Sequence, residues 1–229
     1  MPSDRLPTGI ASVDRLLGGG LETDGITELF GEGGSGKTVF CLAVGEAVAR
    51  TGRWVFYVDT EGVSLERLRT TAGPDLARVL KRLLLSAPKD LDEQGRAVAT
   101  ACALARDARR DPGLIVLDSA TNFYRLALGG PDEDGAREAL AVEVADLVAT
   151  ARLRGLPVLL TNQVWRSVKG GQLEPVGGSF LNHAAKSILR FDRGPGAVRT
   201  ATLVKHRSRP EGTASFRITG DGLESLGPG

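Results

Sequence analysis

The chain has 229 residues, enough for one α/β domain and short for two. Its 29 lysines and arginines nearly balance 28 aspartates and glutamates, so no global positive field draws it to nucleic acid and any DNA-facing surface must be local. No run approaches ~20 continuous apolar residues and the leading MPSDRLPTGI holds no signal-peptide core, so the expectation is a soluble, cytoplasmic protein with no membrane partner.

Short apolar runs alternate with longer amphipathic stretches, the pattern of a parallel sheet with helices on its faces. In chain order the predicted strands are Ile26–Phe30, Trp54–Asp59, Arg82–Ala87, Leu114–Asp118 and Pro157–Gln163, most of them apolar enough to be buried on both faces. Between them Lys37–Arg50, Leu65–Thr71, Asp92–Arg110 and Gly135–Arg154 carry apolar residues at three- and four-residue spacing and are predicted helical. From Val164 the pattern loses its period and fills with glycine, so the segment up to Phe180 reads as a mobile loop. A short helix around Asn182–Lys186 follows, then strands at Ser187–Asp192, Val198–His206 and Thr213–Thr219 as an antiparallel extension of the sheet. The two cysteines, Cys41 and Cys102, fall on apolar helix faces without Cys or His at metal spacing, and are expected as buried free thiols.

One stretch carries chemistry on its face. In FGEGGSGKTVF, residues Gly31, Glu32, Gly33, Gly34, Ser35, Gly36, Lys37 and Thr38 fit G-x-x-x-x-G-K-[ST], between a predicted buried strand and a predicted helix. There backbone N–H groups and the helix dipole both face an anion. Lys37 would bring a point charge to the outer phosphates of ATP, and Thr38 a hydroxyl to Mg²⁺. A phosphate loop needs a second carboxylate near the metal at a neighbouring strand end, and LIVLD ends in Asp118. Hydrolysis also needs a group to polarise water. YVDTEG offers Glu61 just past another strand end, with Asp59 as the competing acid. Asn162 and Gln163 close the set in LLTNQVW, where the amide of Gln163 could hydrogen-bond a γ-phosphate and report it to the following loop.

These segments, with LPTGIASVDRLLGGGLETDGITELF, LIVLDSATNFYR, GGSFLNHAAKSILRF and RPEGTASFRI, resemble in order the RecA-like recombinase core in its archaeal and eukaryotic form, from Leu6 to about Gly222. The resemblance implies a RecA-like P-loop NTPase core as one domain over residues 1–229. It implies ATP and Mg²⁺ at Gly31–Thr38 and Asp118, water activation by Glu61 and sensing by Gln163. It further implies a DNA-facing loop over Val164–Gly178, and a His183 that could approach a neighbouring subunit's nucleotide or serve as a polar residue on a short helix. Longer relatives place a small helical DNA-binding domain and a Phe-x-x-Ala docking segment before the core, where this chain starts directly on it. The function implied is therefore an ATP- and DNA-binding accessory to recombination and repair, with weak ATPase activity and a full-length RadA-type recombinase as partner. Self-assembly through other surfaces stays open, as do a strand-exchanging ATPase and a regulator of protein partners.

For single-stranded DNA, interleaved aromatic and basic residues are the useful signal. Trp165, Arg166 and Lys169 offer it in the loop, and Phe123, Tyr124 and Arg125 beside it, with packing roles as the competing reading for the aromatics. Lys205, His206 and Arg207 stand where longer relatives begin with an acid. Three uses compete there: transition-state cations across a subunit interface, DNA phosphate contacts, or a solvated strand end.

Overall fold

The computed structural model describes residues 5–166 and 173–227. The chain opens with β1 (Arg5–Leu6), α1 (Ala11–Leu17), β2 (Leu21–Glu22), β3 (Ile26–Phe30), α2 (Lys37–Arg50) and β4 (Trp54–Asp59). Next come α3 (Leu65–Ala72), α4 (Leu76–Leu80), β5 (Leu83–Ser86), α5 (Leu91–Arg106), β6 (Pro112–Asp118), α6 (Tyr124–Ala127), α7 (Glu133–Arg154) and β7 (Val158–Asn162). The chain closes with β8 (Val164–Arg166), β9 (Leu173–Pro175), α8 (Gly178–Ala184), β10 (Ala185–Arg193), β11 (Val198–His206), β12 (Gly212–Thr219) and β13 (Gly222–Ser225).

Nine strands form one sheet in the order β13-β12-β11-β10-β3-β7-β6-β4-β5. The six from β10 to β5 run parallel, so Ser187–Asp192, expected in the antiparallel extension, joins the parallel part beside β3, while β11 and β12 extend the sheet antiparallel as expected and β13 adds a further antiparallel strand. Strand alternation divides the core in two. Leu29, Val55, Tyr57, Leu114, Val116 and Leu159 lie on the face covered by α2, with α1 beside it over β11–β13, while Ile26, Phe30, Phe56, Ile115, Leu117 and Leu160 face α5 and α7. Under the antiparallel extension Phe40, Phe191 and Phe216 pack ring to ring, with centroids 5.2 to 6.2 Å apart.

Several boundaries move for local reasons. Helix α5 stops at Arg106 because Asp107 turns outward and takes the guanidinium of Arg109 at 3.0 Å, closing a turn instead of another helical repeat. The expected loop after Gln163 starts and ends as a short antiparallel pair, with Val164 opposite Pro175 and Trp165 opposite Glu174. Helix α8 ends before Lys186, because Ala185 already pairs with Ile26 in the sheet. Helices α1, α4 and α6 and strands β1, β2 and β13 had no predicted counterpart. Cys41 and Cys102 are buried and free, and burial pushes the Cys102 thiol up to about 11, which keeps it inert. Among the described residues no helix is long and apolar enough to cross a membrane.

Register places the site. Phe30 pairs with Asn162 and Asp59 with Asp118, so the segments leaving β3, β7, β4 and β6 all emerge along one edge of the sheet. The connection from β3 crosses both β7 and β6 before reaching β4. The loop after β3 therefore lies at the position where open parallel sheets bind ligands.

Candidate functional site

The loop from Gly31 to Gly36 takes its shape from glycine. At Gly31, φ is +152° and a Cβ would sit 2.2 Å from the Phe191 carbonyl oxygen; Gly36, at φ +96°, begins α2 in a left-handed conformation. Helices α3 and α5 begin with side-chain caps, Ser64 accepting from Arg67 N and Asp90 from Glu93 N. Gly36 offers no such cap, which leaves the first turn of α2 to an external acceptor. Among the described residues the Ser35 hydroxyl is buried without a partner, and no atom approaches within 4 Å of where a Gly33 side chain would begin. A buried cation, an uncapped helix start, an unpaired hydroxyl and open space fit a polyphosphate.

Lys37 is nearly buried, and its ammonium donates to the carbonyls of Gly31 (2.7 Å) and Glu32 (3.2 Å). Burial pushes its pKa down, while Glu61 and Asp118 hold it up. The Thr38 hydroxyl bonds the Asp118 carboxylate, bringing together the two residues expected at a metal. Asp118 is fully buried and also accepts from Tyr57 Oη at 2.7 Å and Thr161 Oγ1 at 2.6 Å. Its pKa is raised by burial, against the pull of those hydroxyls. A bound divalent cation would reverse that shift.

The two acids of YVDTEG divide in use. Asp59 accepts from the backbone N–H groups of Glu61 (3.2 Å), Gly62 (2.8 Å) and Val63 (2.7 Å), and so shapes the loop that carries Glu61. Glu61 is exposed, and its Oε1 accepts from Gln163 Nε2 at 2.7 Å. The predicted water-activating acid and the predicted sensor are thus joined directly. Asn122 steadies the pair, its Oδ1 accepting from Gln163 Nε2 at 3.3 Å and its Nδ2 donating to Thr60 O at 2.7 Å.

Behind Gln163 lies a buried polar relay. Asn162 Nδ2 donates to Glu28 Oε1 and to the Val176 carbonyl, both at 2.8 Å, and its Oδ1 accepts from Thr121 Oγ1 at 2.8 Å. Asn162, Glu28 and Thr121 have no exposed surface. Asn162→Ala strips the donor from Glu28 and Val176 and the acceptor from Thr121. The expected loss is about 2–4 kcal/mol of folding stability, read by chemical denaturation, and a loss below about 1 kcal/mol would show the relay to be structurally idle.

Other predicted residues lie farther off. Trp165 is 55% exposed on β8; Arg166 ends that strand, and Lys169 lies outside the described residues. Tyr124 is buried against α7 and hydrogen-bonds Arg137, while Phe123 is half-buried. His183 is exposed on the last turn of α8. Lys205, His206 and Arg207 end β11 beside Ile188 and Ser187, at the edge of the sheet opposite the glycine loop. There Lys205 Nζ donates to the carbonyls of Asn182 (2.5 Å) and Ala185 (2.8 Å), holding the C-terminus of α8. Arg207 pairs with Glu22 at 3.0 Å and Asp24 at 3.3 Å, and burial lowers the pKa of His206 against Glu22.

The same edge as the glycine loop holds residues that sequence reasoning missed. Arg193 Nη1 reaches the rim at Gly34, and the Arg199 stem lies over Gly36. A cavity of about 300 Å³ opens beside Val39, walled by Leu42, Ala43, Arg67 and the β12–β13 turn at Asp221 and Gly222.

Against known proteins, residues 4–226 match the Rad51 family. The chain belongs to that family. Among its members it is 41% identical to the DNA repair and recombination protein RadB of Methanoculleus marisnigri, across 99% of this chain and 100% of that protein. The RadB of Thermoplasma acidophilum is 40% identical across 97% and 95%. A crystal structure of the RadB recombinase superposes with a TM-score of 0.80 at 35% identity, covering 97% of this chain and 100% of that one. Rad51-family membership accords with the mostly parallel sheet, its antiparallel extension and the glycine loop at the parallel strands' C-terminal edge.

Proposed function

We propose that the chain is an ATP- and DNA-binding accessory protein of homologous recombination and DNA repair, hydrolysing ATP slowly and using it chiefly as a conformational switch. The observation that carries this reading is the convergence of Lys37, Thr38, Asp118, Glu61 and Gln163 on one sheet edge, with Gln163 leading directly into β8. The names of its RadB relatives, DNA repair and recombination proteins, support the cellular role.

ATP with Mg²⁺ would supply the transferable phosphoryl group. Lys37 and the uncapped start of α2 provide positive potential at the glycine loop, with Arg193 and Arg199 at its rim. Thr38 and Asp118 would hold the cation, whose charge would offset that of the phosphates. The cavity beside Val39 is where we place the nucleoside, against Arg67. Glu61 is the base for water, and while Gln163 donates to its Oε1 that oxygen is partly committed, which favours slow turnover. Trp165 and Arg166 on the hairpin suit a single strand, by base stacking and phosphate neutralisation.

The complete hydrolytic set favours a second reading, a DNA-stimulated ATPase that exchanges strands itself. Steady-state ATP turnover with Mg²⁺, with and without saturating single-stranded DNA, separates the two. The accessory reading expects slow turnover that DNA leaves within about threefold; stimulation beyond tenfold, about 1.4 kcal/mol of barrier, overturns it. No salt-sensitive binding to single-stranded DNA at low ionic strength would remove DNA from the function altogether.

A further inference from the structure

Strands β4, β5, β6 and β7 begin at the edge of the sheet opposite the glycine loop, about 20 Å from it along a six-residue strand. Helices α2, α5 and α7 end at the same pole. The segments that meet there, residues 50–54, 75–82, 106–111 and 146–154, carry ten lysines and arginines against four aspartates. That surplus exceeds the net charge of +1 on the whole chain, so the remainder of the molecule is net acidic. Part of the charge serves the fold. The three helix C-termini each present about half a negative charge. Arg154 donates to the carbonyls of Arg106 and Arg110, both at 3.2 Å, while Arg50 pairs with Asp75, Arg106 with Asp146 and Arg109 with Asp107. The rest is unengaged: among the described residues Arg78, Lys81 and Arg152 are exposed, and no hydrogen bond or ion pair holds their side chains.

We propose that this pole is a DNA-binding surface of its own, which takes the sugar-phosphate backbone of a duplex independently of the nucleotide and of the hairpin that carries Trp165. Charge complementarity selects a polyanion. A duplex carries a phosphate every ~1.7 Å along its axis, so cations rising from β5, β4 and β6, strands about 4.8 Å apart, meet several of them at once and release their counterions.

The aromatic content selects the duplex over a single strand. Single strands are held by stacking bases on open aromatic faces, and the one aromatic side chain of these segments, Trp54, is packed between the guanidinium groups of Arg82 and Arg110. Trp54 instead holds those two planes in place and leaves their N–H edges to phosphate oxygens. Arg82 has no ion pair among the described residues, and Arg110 has only Asp107, at 3.7 Å. With phosphates as the contacts, binding is blind to base sequence and steep in salt. A single strand at the hairpin and a duplex at the opposite pole would hold two DNA molecules on one chain.

The test is fluorescence anisotropy of a labelled duplex of about 20 base pairs, titrated with the full chain at about 50 and about 200 mM salt. Expected is saturable binding that weakens about 10²-fold between the two, as about four neutralised phosphates require. K81E/R152E should weaken binding by at least about tenfold at the lower salt and make the salt slope shallower by about two, while keeping the thermal midpoint and ATP affinity of the wild type. K81Q/R152Q, which removes the charges without reversing them, should fall between the two. No saturable binding at the lower salt, unchanged binding in both variants, a requirement for ATP, or polyglutamate competing as well as the duplex would overturn the proposal, the last by assigning the pole to an acidic protein.

Discussion

Lys37→Ala is expected to weaken ATP binding by about 10²–10³-fold. Among the described residues the buried ammonium has only Gly31 O and Glu32 O as hydrogen-bond partners, both in its own loop, so a phosphate can take it over without breaking a contact to another described element. Charge-assisted hydrogen bonds are worth about 1.5–3 kcal/mol each, so two to phosphate oxygens, less what the two carbonyl bonds supply in the free protein, leave about 3–4 kcal/mol, the stated range in affinity. Isothermal titration with ATP and Mg²⁺ measures it, with a thermal melt to establish that the variant is folded. Because desolvation lowers the pKa of Lys37 in the free protein, charged ligand should also restore it, and ATP binding should take up protons near the alkaline limit. Affinity within threefold of the wild type in a folded variant would remove the glycine loop from nucleotide binding.

Glu61→Gln is expected to slow turnover by about 10²–10⁴-fold while leaving ATP affinity within about threefold. The substitution is nearly isosteric. Gln163 Nε2 now donates to the Glu61 carboxylate and would donate equally to an amide carbonyl, so the pair keeps its geometry and loses only basicity. Asp59 cannot substitute as base, because its oxygens are taken up by the N–H groups of Glu61, Gly62 and Val63. Single-turnover hydrolysis, beside the titration used for Lys37, separates chemistry from binding. A wild-type rate would take Glu61 out of the chemistry and leave it as a partner for Gln163.

Both predictions rest on residues legible in the sequence, and the reason is geometric. In a parallel sheet every strand ends at the same edge, so a chemical side chain just after an apolar run is placed by that run alone. Gly31–Thr38, Glu61, Asp118 and Gln163 all have that property. Tyr57 and Thr161 do not: they lie inside strands, and their hydroxyls reach Asp118 only because β4 and β7 flank β6. Arg193 and Arg199 stay hidden for a similar reason, since they meet the glycine loop only once β10 is known to lie beside β3. Lys205, His206 and Arg207 illustrate the converse. Their charge is plain in the sequence, but only the antiparallel register of β11 shows that they stand at the far edge, holding α8 and the acids around β2. The short pairing of Val164–Arg166 with Leu173–Pro175 offers too few residues for a period of two to register.

The two tryptophans are optically unequal. Trp54 lies partly buried between the guanidinium groups of Arg82 and Arg110, 4.9 and 4.8 Å from its ring centre, whereas Trp165 stands mostly in water on the hairpin that follows Gln163. Emission at the red edge, and quenching by neutral acrylamide, should therefore be dominated by Trp165. Nucleotide added to the unlabelled protein can then be followed through the colour of one indole, which makes the link from sensor to hairpin visible in a cuvette.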